Sequence, residues 1–214
     1  TTSSANTLLQ NTLWESRVAM TNKTFLTAGV MIGNGNTNLT LGTAENEGVL
    51  MPLTAGGSLA LVNHSAEGLL TVNAVVTNNA TASILSKSGA GKVRLNGAVT
   101  HTGGTFLGEG ELVLAGSGTQ TIAHVVSGAG ALAKDGDGRI TLSGANTYEG
   151  LTSIRKGTLL VNNNAALGSK VAGTVITDGG TLDLGAASVA ENGLKLGSEP
   201  ITVSGKGVDE RGAI

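Results

Sequence analysis

From about residue 80 onward the chain alternates apolar and polar positions in short bursts, each closed by Gly, Asn or Ser. The bursts fall at positions 93–95, 112–114, 140–142, 159–161, 182–184 and 201–203, with unequal steps between them. In Ile140-Thr141-Leu142 the two apolar side chains share one face and the threonine takes the other, which is the period-two signature of a half-buried strand. Each burst is too short to be stable alone, so it must pair with others. Positions 38–41, 57–62 and 69–72 (NLTL, GSLALV and LLTV) read as further strands, and 26–80 as a less regular version of the same architecture.

The bursts belong to a longer self-match. Residues 87–114 and 134–161 align without a gap at an offset of 47, with 11 of 28 positions identical, five of them Gly. A fixed period of this size means stacked supersecondary units. A strand recurring on average about every 22 residues suits one coil of a parallel β-solenoid, in which each strand pairs with its counterparts above and below. On that reading the 47-residue unit is two coils, and the chain forms roughly ten coils, about 45–50 Å long at the usual strand spacing. Glycine then sits where stacked coils turn corners, and Asn162-Asn163-Asn164 is a candidate corner of the same kind.

Residues 4–20 differ in character. Ala5, Leu8, Leu9, Leu13 and Trp14 follow a loosely helical pattern, and an open solenoid end exposes unpaired backbone that needs cover. Residues 1–25 are therefore expected to form an N-terminal cap, either a short helix or an irregular strand, with Leu8, Leu9, Leu13 and Trp14 as its apolar residues. No comparable cap follows the last strand. The protein is expected either to continue beyond Ile214 or to meet the N-terminal segment of another copy, head to tail.

Composition narrows the picture. Gly is 34 of 214 residues and Pro only 2, aromatics are 2 % and hydrophobics 40 %, so the core must be thin layers of Val, Leu, Ile and Ala. Charge is sparse and nearly balanced at −2, without a basic stripe, which argues against nucleic acid as a partner. Cysteine is absent, removing disulfides and thiolate metal sites. No apolar run reaches the length of a membrane span, so no membrane insertion by this segment is expected.

Candidate chemistry is scarce. Asp135-Gly136-Asp137-Gly138 lacks the further oxygen ligands of a calcium loop and reads as a structural turn. His64, His101 and His124 fall in different parts of the repeat, with no second ligand at metal spacing, and read as packing or surface residues. Glu109, Glu111, Asp178 and Asp183 come nearest to the clustered carboxylates of a carbohydrate-active β-helix, but Asp183 lies mid-strand and should face solvent. Neither a catalytic residue, a metal site nor a cofactor is assigned.

Residues 132–161, LAKDGDGRITLSGANTYEGLTSIRKGTLLV, carry a denser pattern: Lys134, Gly136, Gly138, Leu142-Ser143-Gly144, Asn146-Thr147-Tyr148, Gly150, Thr152 and Gly157-Thr158-Leu159. This resembles the passenger-associated transport repeat, or autotransporter-associated β-strand repeat, of bacterial autotransporters. Residues 84–114 form a degenerate copy, with Val99-Thr100-His101 in place of Asn-Thr-Tyr. The resemblance implies a right-handed parallel β-helix in a secreted or surface-exposed bacterial protein, with the repeat assisting export and folding. The expected function is a non-catalytic stalk or passenger scaffold. A self-assembling fibre subunit and an adhesin or enzyme acting on host or matrix glycans are the alternatives.

Overall fold

The structure, a computed structural model, describes residues 1–177, 179–185 and 193–214. Among these the named strands all pair in parallel. The chain is an all-β parallel solenoid, and its strands stack on three faces visited in turn. The first face holds residues 2–5 and 24–27, Val49–Pro52 and Val75–Val76, and resumes with Thr119–Ile122, residues 139–142 and 158–161, and Gly180–Asp183. The second holds residues 7–10 and 29–32, Ser58–Asn63, Ile84–Ser88, Thr105–Leu107 and Val126–Ser127. The third runs from Ser16–Val18 through Leu39–Leu41, Leu69–Val72, Lys92–Leu95, Glu111–Leu114, residues 131–134 and 152–154, and Thr174–Ile176 to Ile201–Val203.

Nine strands on the third face mark out about eight turns, fewer than the expected ten. Turn length is the reason. Lys92 pairs with Glu111 after a short turn, but Leu39 pairs with Leu70 only after a much longer one, because loops intervene in the early coils. One of these loops also braces its neighbours: Glu45 accepts a hydrogen bond from the Ser117 amide (2.9 Å) and Asn46 from that of Ala98 (2.7 Å).

The 47-residue repeat is two coils and one face, not two coils. Residues 84–88 stack over 105–107 and then 126–127, which completes two turns on the second face. The second copy begins one face later, at residues 131–134, beneath Glu111–Leu114. The long step from the burst at 112–114 to the one at 140–142 records this: Leu112 pairs with Leu132, and the chain rounds one more corner to reach Ile140.

Inward positions form vertical ladders. Leu41, Val72, Leu95, Leu114, Lys134, Ile154 and Ile176 stack on the third face, and Val30, Leu61, Lys87 and Leu107 on the second. The aliphatic members are almost fully buried, each contributing on the order of 1.5–3 kcal/mol through area removed from water. A lysine interrupts each ladder.

The segment expected to cap the N-terminal end is itself a coil. Thr2–Gln10 is a strand paired with Thr24–Ile32, Leu8 opposite Val30 and Leu9 opposite Met31. Strand alternation sends Leu8 toward the core and leaves Leu9 half exposed, where a helix would have buried both. Leu13 (72 % exposed) and Trp14 (82 %) lie in the following turn, outside the core. Gln10 is buried there and donates to the Trp14 carbonyl at 2.7 Å.

Candidate functional site

The repeat's shared polar residues meet at coil corners. Lys134 ends residues 131–134 with its side chain turned inward and 2 % exposed. Its Nζ donates to the Gly136 carbonyl (2.5 Å) in its own turn and to the Lys156 carbonyl (3.0 Å) in the next coil. Lys87, its counterpart in the first copy, is fully buried and donates to the carbonyls of Gly89 (2.5 Å), Gly91 (2.6 Å) and Glu109 (2.6 Å). An ammonium has three N–H bonds, so the Lys87 cage satisfies it completely. Burial lowers both lysines from the ordinary 10.5 to about 8, so both remain mainly charged at neutral pH. Each cage clamps one coil to the next.

Glycine makes room for the clamp. Gly157 has φ +72°, and a Cβ there would lie 2.2 Å from the Gly136 carbonyl oxygen and 2.7 Å from Lys134 Nζ. Gly110 is its counterpart at φ +63°, with a Cβ position 2.4 Å from Lys87 Nζ. Gly136, Gly138, Gly144 and Gly150 are needed for close stacking instead: a Cβ on any of them would fall within 2.1–2.5 Å of backbone in the coil before. Leu142 and Leu159 are core.

The next corner holds Asn146, Thr147 and Tyr148. Asn146 is buried and bridges two coils, accepting from the Val126 amide (2.8 Å) and donating to the Ala166 carbonyl (2.6 Å). Thr147 is exposed; its amide donates to the Val126 carbonyl. Tyr148 is fully buried, its hydroxyl 2.6 Å from Thr152 Oγ1, which donates onward to the Leu167 carbonyl. Burial raises the Tyr148 phenol above its ordinary range.

In the first copy His101 occupies the Tyr148 position and keeps its partner: Nε2 lies 2.9 Å from Thr105 Oγ1, as well as 3.1 Å from the Gly104 carbonyl. The structure adds what spacing did not suggest. His124, one coil on, places its own Nε2 2.9 Å from the same hydroxyl, and the two rings lie 4.4 Å apart between centroids. The carbonyl requires His101 to donate from Nε2, so the Thr105 hydroxyl donates to His124. Burial, and then the neighbouring His124, push His101 down to about 4; burial lowers His124 as well. His64 lies apart from the pair, in the turn after Ser58–Asn63.

Among the described residues, the candidate carboxylates Glu111 and Asp183 are each held by cations. Glu111 is bound by Arg155 and lies 3.8 Å from Lys92, Asp183 pairs with Arg139 at 2.7 Å, and Asp178 lies outside the described residues. Asp135 pairs with Arg94 (2.9 Å) and Asp137 with Lys156 (2.8 Å), so both turn aspartates face cations. Arg94–Asp135, Arg139–Asp183 and Arg155–Glu111 each span an intervening coil and staple three coils along the outside. Val113 and Ala133, the outward residues stacked on Arg94, are buried beneath this layer of bridges.

The family model of the passenger-associated-transport-repeat matches the chain twice, at residues 85–114 and 132–161. These are the two copies of the internal repeat, so both lysine cages lie inside matched segments, and the double match is consistent with an autotransporter passenger repeat protein. No curated protein and no solved structure matches the chain.

Proposed function

We propose that the chain is a structural, non-catalytic module of an exported bacterial protein, a stiff length of passenger displayed at the cell surface or released. The supporting observation is where the shared polar residues of the repeat are spent. Lys87 and Lys134, Gly110 and Gly157, and Thr105 and Thr152 all close contacts within or between successive coils, and the lysines and threonines are buried. In a solenoid each coil depends mainly on its neighbours, so structure can propagate from one end as the chain emerges. A clamp that joins a finished coil to the one after it suits vectorial folding outside the cell.

The test places the chain between a secretion signal and an outer-membrane barrel, then compares wild type with Lys87→Met/Lys134→Met. Wild type should appear at the surface as a protease-resistant fragment. The double variant should be displayed several-fold less and be degraded. Equal display and equal resistance of the two would overturn the proposal.

A further inference from the structure

We infer that the corner formed by His101, Thr105 and His124 is a binding site for a borderline transition-metal cation of the Zn2+, Ni2+ or Cu2+ class. Two imidazoles from successive coils aim their Nε2 atoms at one point, each 2.9 Å from Thr105 Oγ1. Convergence of two imidazole nitrogens is what these cations select, at metal–nitrogen distances of about 2.0–2.1 Å. The hydroxyl stands where the cation would sit, so binding requires it to rotate aside or become a third donor, and requires the His101 proton to move from Nε2 to Nδ1, which has no hydrogen-bond partner to displace. The Gly104 carbonyl, 3.1 Å from His101 Nε2, offers a further oxygen.

The His124 ring is already oriented as a ligand. The Thr105 hydroxyl donates to its Nε2, so that nitrogen already carries its lone pair toward the position of the cation. Both rings are neutral at pH 7, as ligation demands. His101 is 3 % exposed, and its Nδ1 is buried without a hydrogen-bond partner. The Tyr148 copy satisfies the same corner with one hydroxyl, so the imidazole pair is particular to the first copy. Beside the rings lies a depression of about 250 Å³ lined by Val99, Thr100, Thr102, Thr121 and Ala123, with no charged side chain to repel a cation. It has room for the waters that would complete the coordination shell.

Only two of the donors are imidazoles, and neutral oxygens or water fill the other positions, so the cation would be exchangeable. The tag-free chain, stripped with chelator, should be titrated with Zn2+ by calorimetry and with Co2+ by visible absorption. One equivalent should bind, with a tetrahedral Co2+ spectrum and a raised melting temperature. His101→Tyr installs the residue of the other copy, so it should keep the fold, checked by circular dichroism, yet weaken binding at least tenfold. His124→Gln should do the same, and His64→Gln should change nothing. Absence of a Zn2+-dependent shift in wild type, or equal binding by the folded His101→Tyr variant, would overturn the assignment.

Discussion

Replacing the caged lysines by methionine tests whether the cages hold coils together or merely tolerate a buried charge. Met nearly matches the lysine in length and apolar volume, so the change isolates the ammonium. Burial shifts each lysine from 10.5 to about 8, and that difference corresponds to about 3 kcal/mol of penalty that Met would recover. Against this, each carbonyl loses a charged donor in a place water does not reach, at about 2–3 kcal/mol apiece. Lys134→Met strands two carbonyls and Lys87→Met three. The net expectation is a loss of about 1–3 kcal/mol for Lys134→Met and about 3–6 kcal/mol for Lys87→Met. At about 2–4 °C per kcal/mol for a chain of this size, Lys87→Met should melt on the order of 10 °C lower, and Lys134→Met roughly half as much. Solenoids can unfold in sections, so the melt should be followed by far-ultraviolet circular dichroism together with amide exchange in the two affected coils. A Lys87→Met variant as stable as wild type, or less affected than Lys134→Met, would refute the carbonyl-cage reasoning. Burial of the charge would then outweigh the bonds it makes.

The same lysines predict an alkaline rise in stability. Between about pH 8 and 10.5 the unfolded chain holds protons that the folded lysines have released, so the urea midpoint should climb across that window and stay flat in Lys87→Met/Lys134→Met. The raised Tyr148 phenol acts oppositely above pH 10 and should turn the curve over. On the acid side, unfolded histidine takes up a proton near 6.5 while His101 resists until about 4, so up to about 3 kcal/mol should be lost as pH falls through that range. Metal-free His101→Tyr should lack that part of the loss; an unchanged acid profile would contradict the burial of a neutral ring. Among glycines, Gly157→Ala should be severely destabilising, with φ +72° and a Cβ position 2.2 Å from a carbonyl oxygen. Gly118→Ala, with nothing within 4 Å of its Cβ position, should be nearly neutral by the same thermal melt.

The period-two bursts and the 47-residue offset carried the fold class, because alternation sets which side chains face inward and repetition implies stacking. Glycine at corners was legible for the same reason. What eluded the sequence was vertical neighbourhood. The turn that carries Lys92 to Glu111 is far shorter than the one that carries Leu39 to Leu70, so a separation in sequence does not translate into one coil. His101 and His124 are separated by close to the average coil length, but with coils of unequal length that separation does not say that the two rings share a corner. The ion pairs that staple three coils join Arg94 to Asp135, Arg139 to Asp183 and Glu111 to Arg155, beyond any local pattern. Lys87 was visible as an identity shared with Lys134, but its role depends on the Glu109 carbonyl in the coil beneath. At the N-terminal end, Leu8 and Leu9 left a short helix and a strand both open, because adjacent apolar residues are ambiguous until a pairing partner is known.

The extra face in the repeat explains how one short motif can serve anywhere along the rod. Had the repeat made two complete turns, both lysine cages would lie at the same corner, and the motif would have to match that corner's neighbours. Instead Lys87 sits at the passage from the second face to the third, and Lys134 at the passage from the third to the first. The vertical partners differ, Leu61 and Leu107 for one and Leu114 and Ile154 for the other, yet the cage geometry persists. Its ingredients are therefore local: a strand ending in an inward lysine, a glycine turn supplying carbonyls, and a left-handed glycine one coil later that lets a third carbonyl or its equivalent approach. Such a clamp needs only the coil that has just formed and the one forming beneath it. A motif with those requirements can recur at any angular position, and it stabilises each new coil as soon as its glycine arrives.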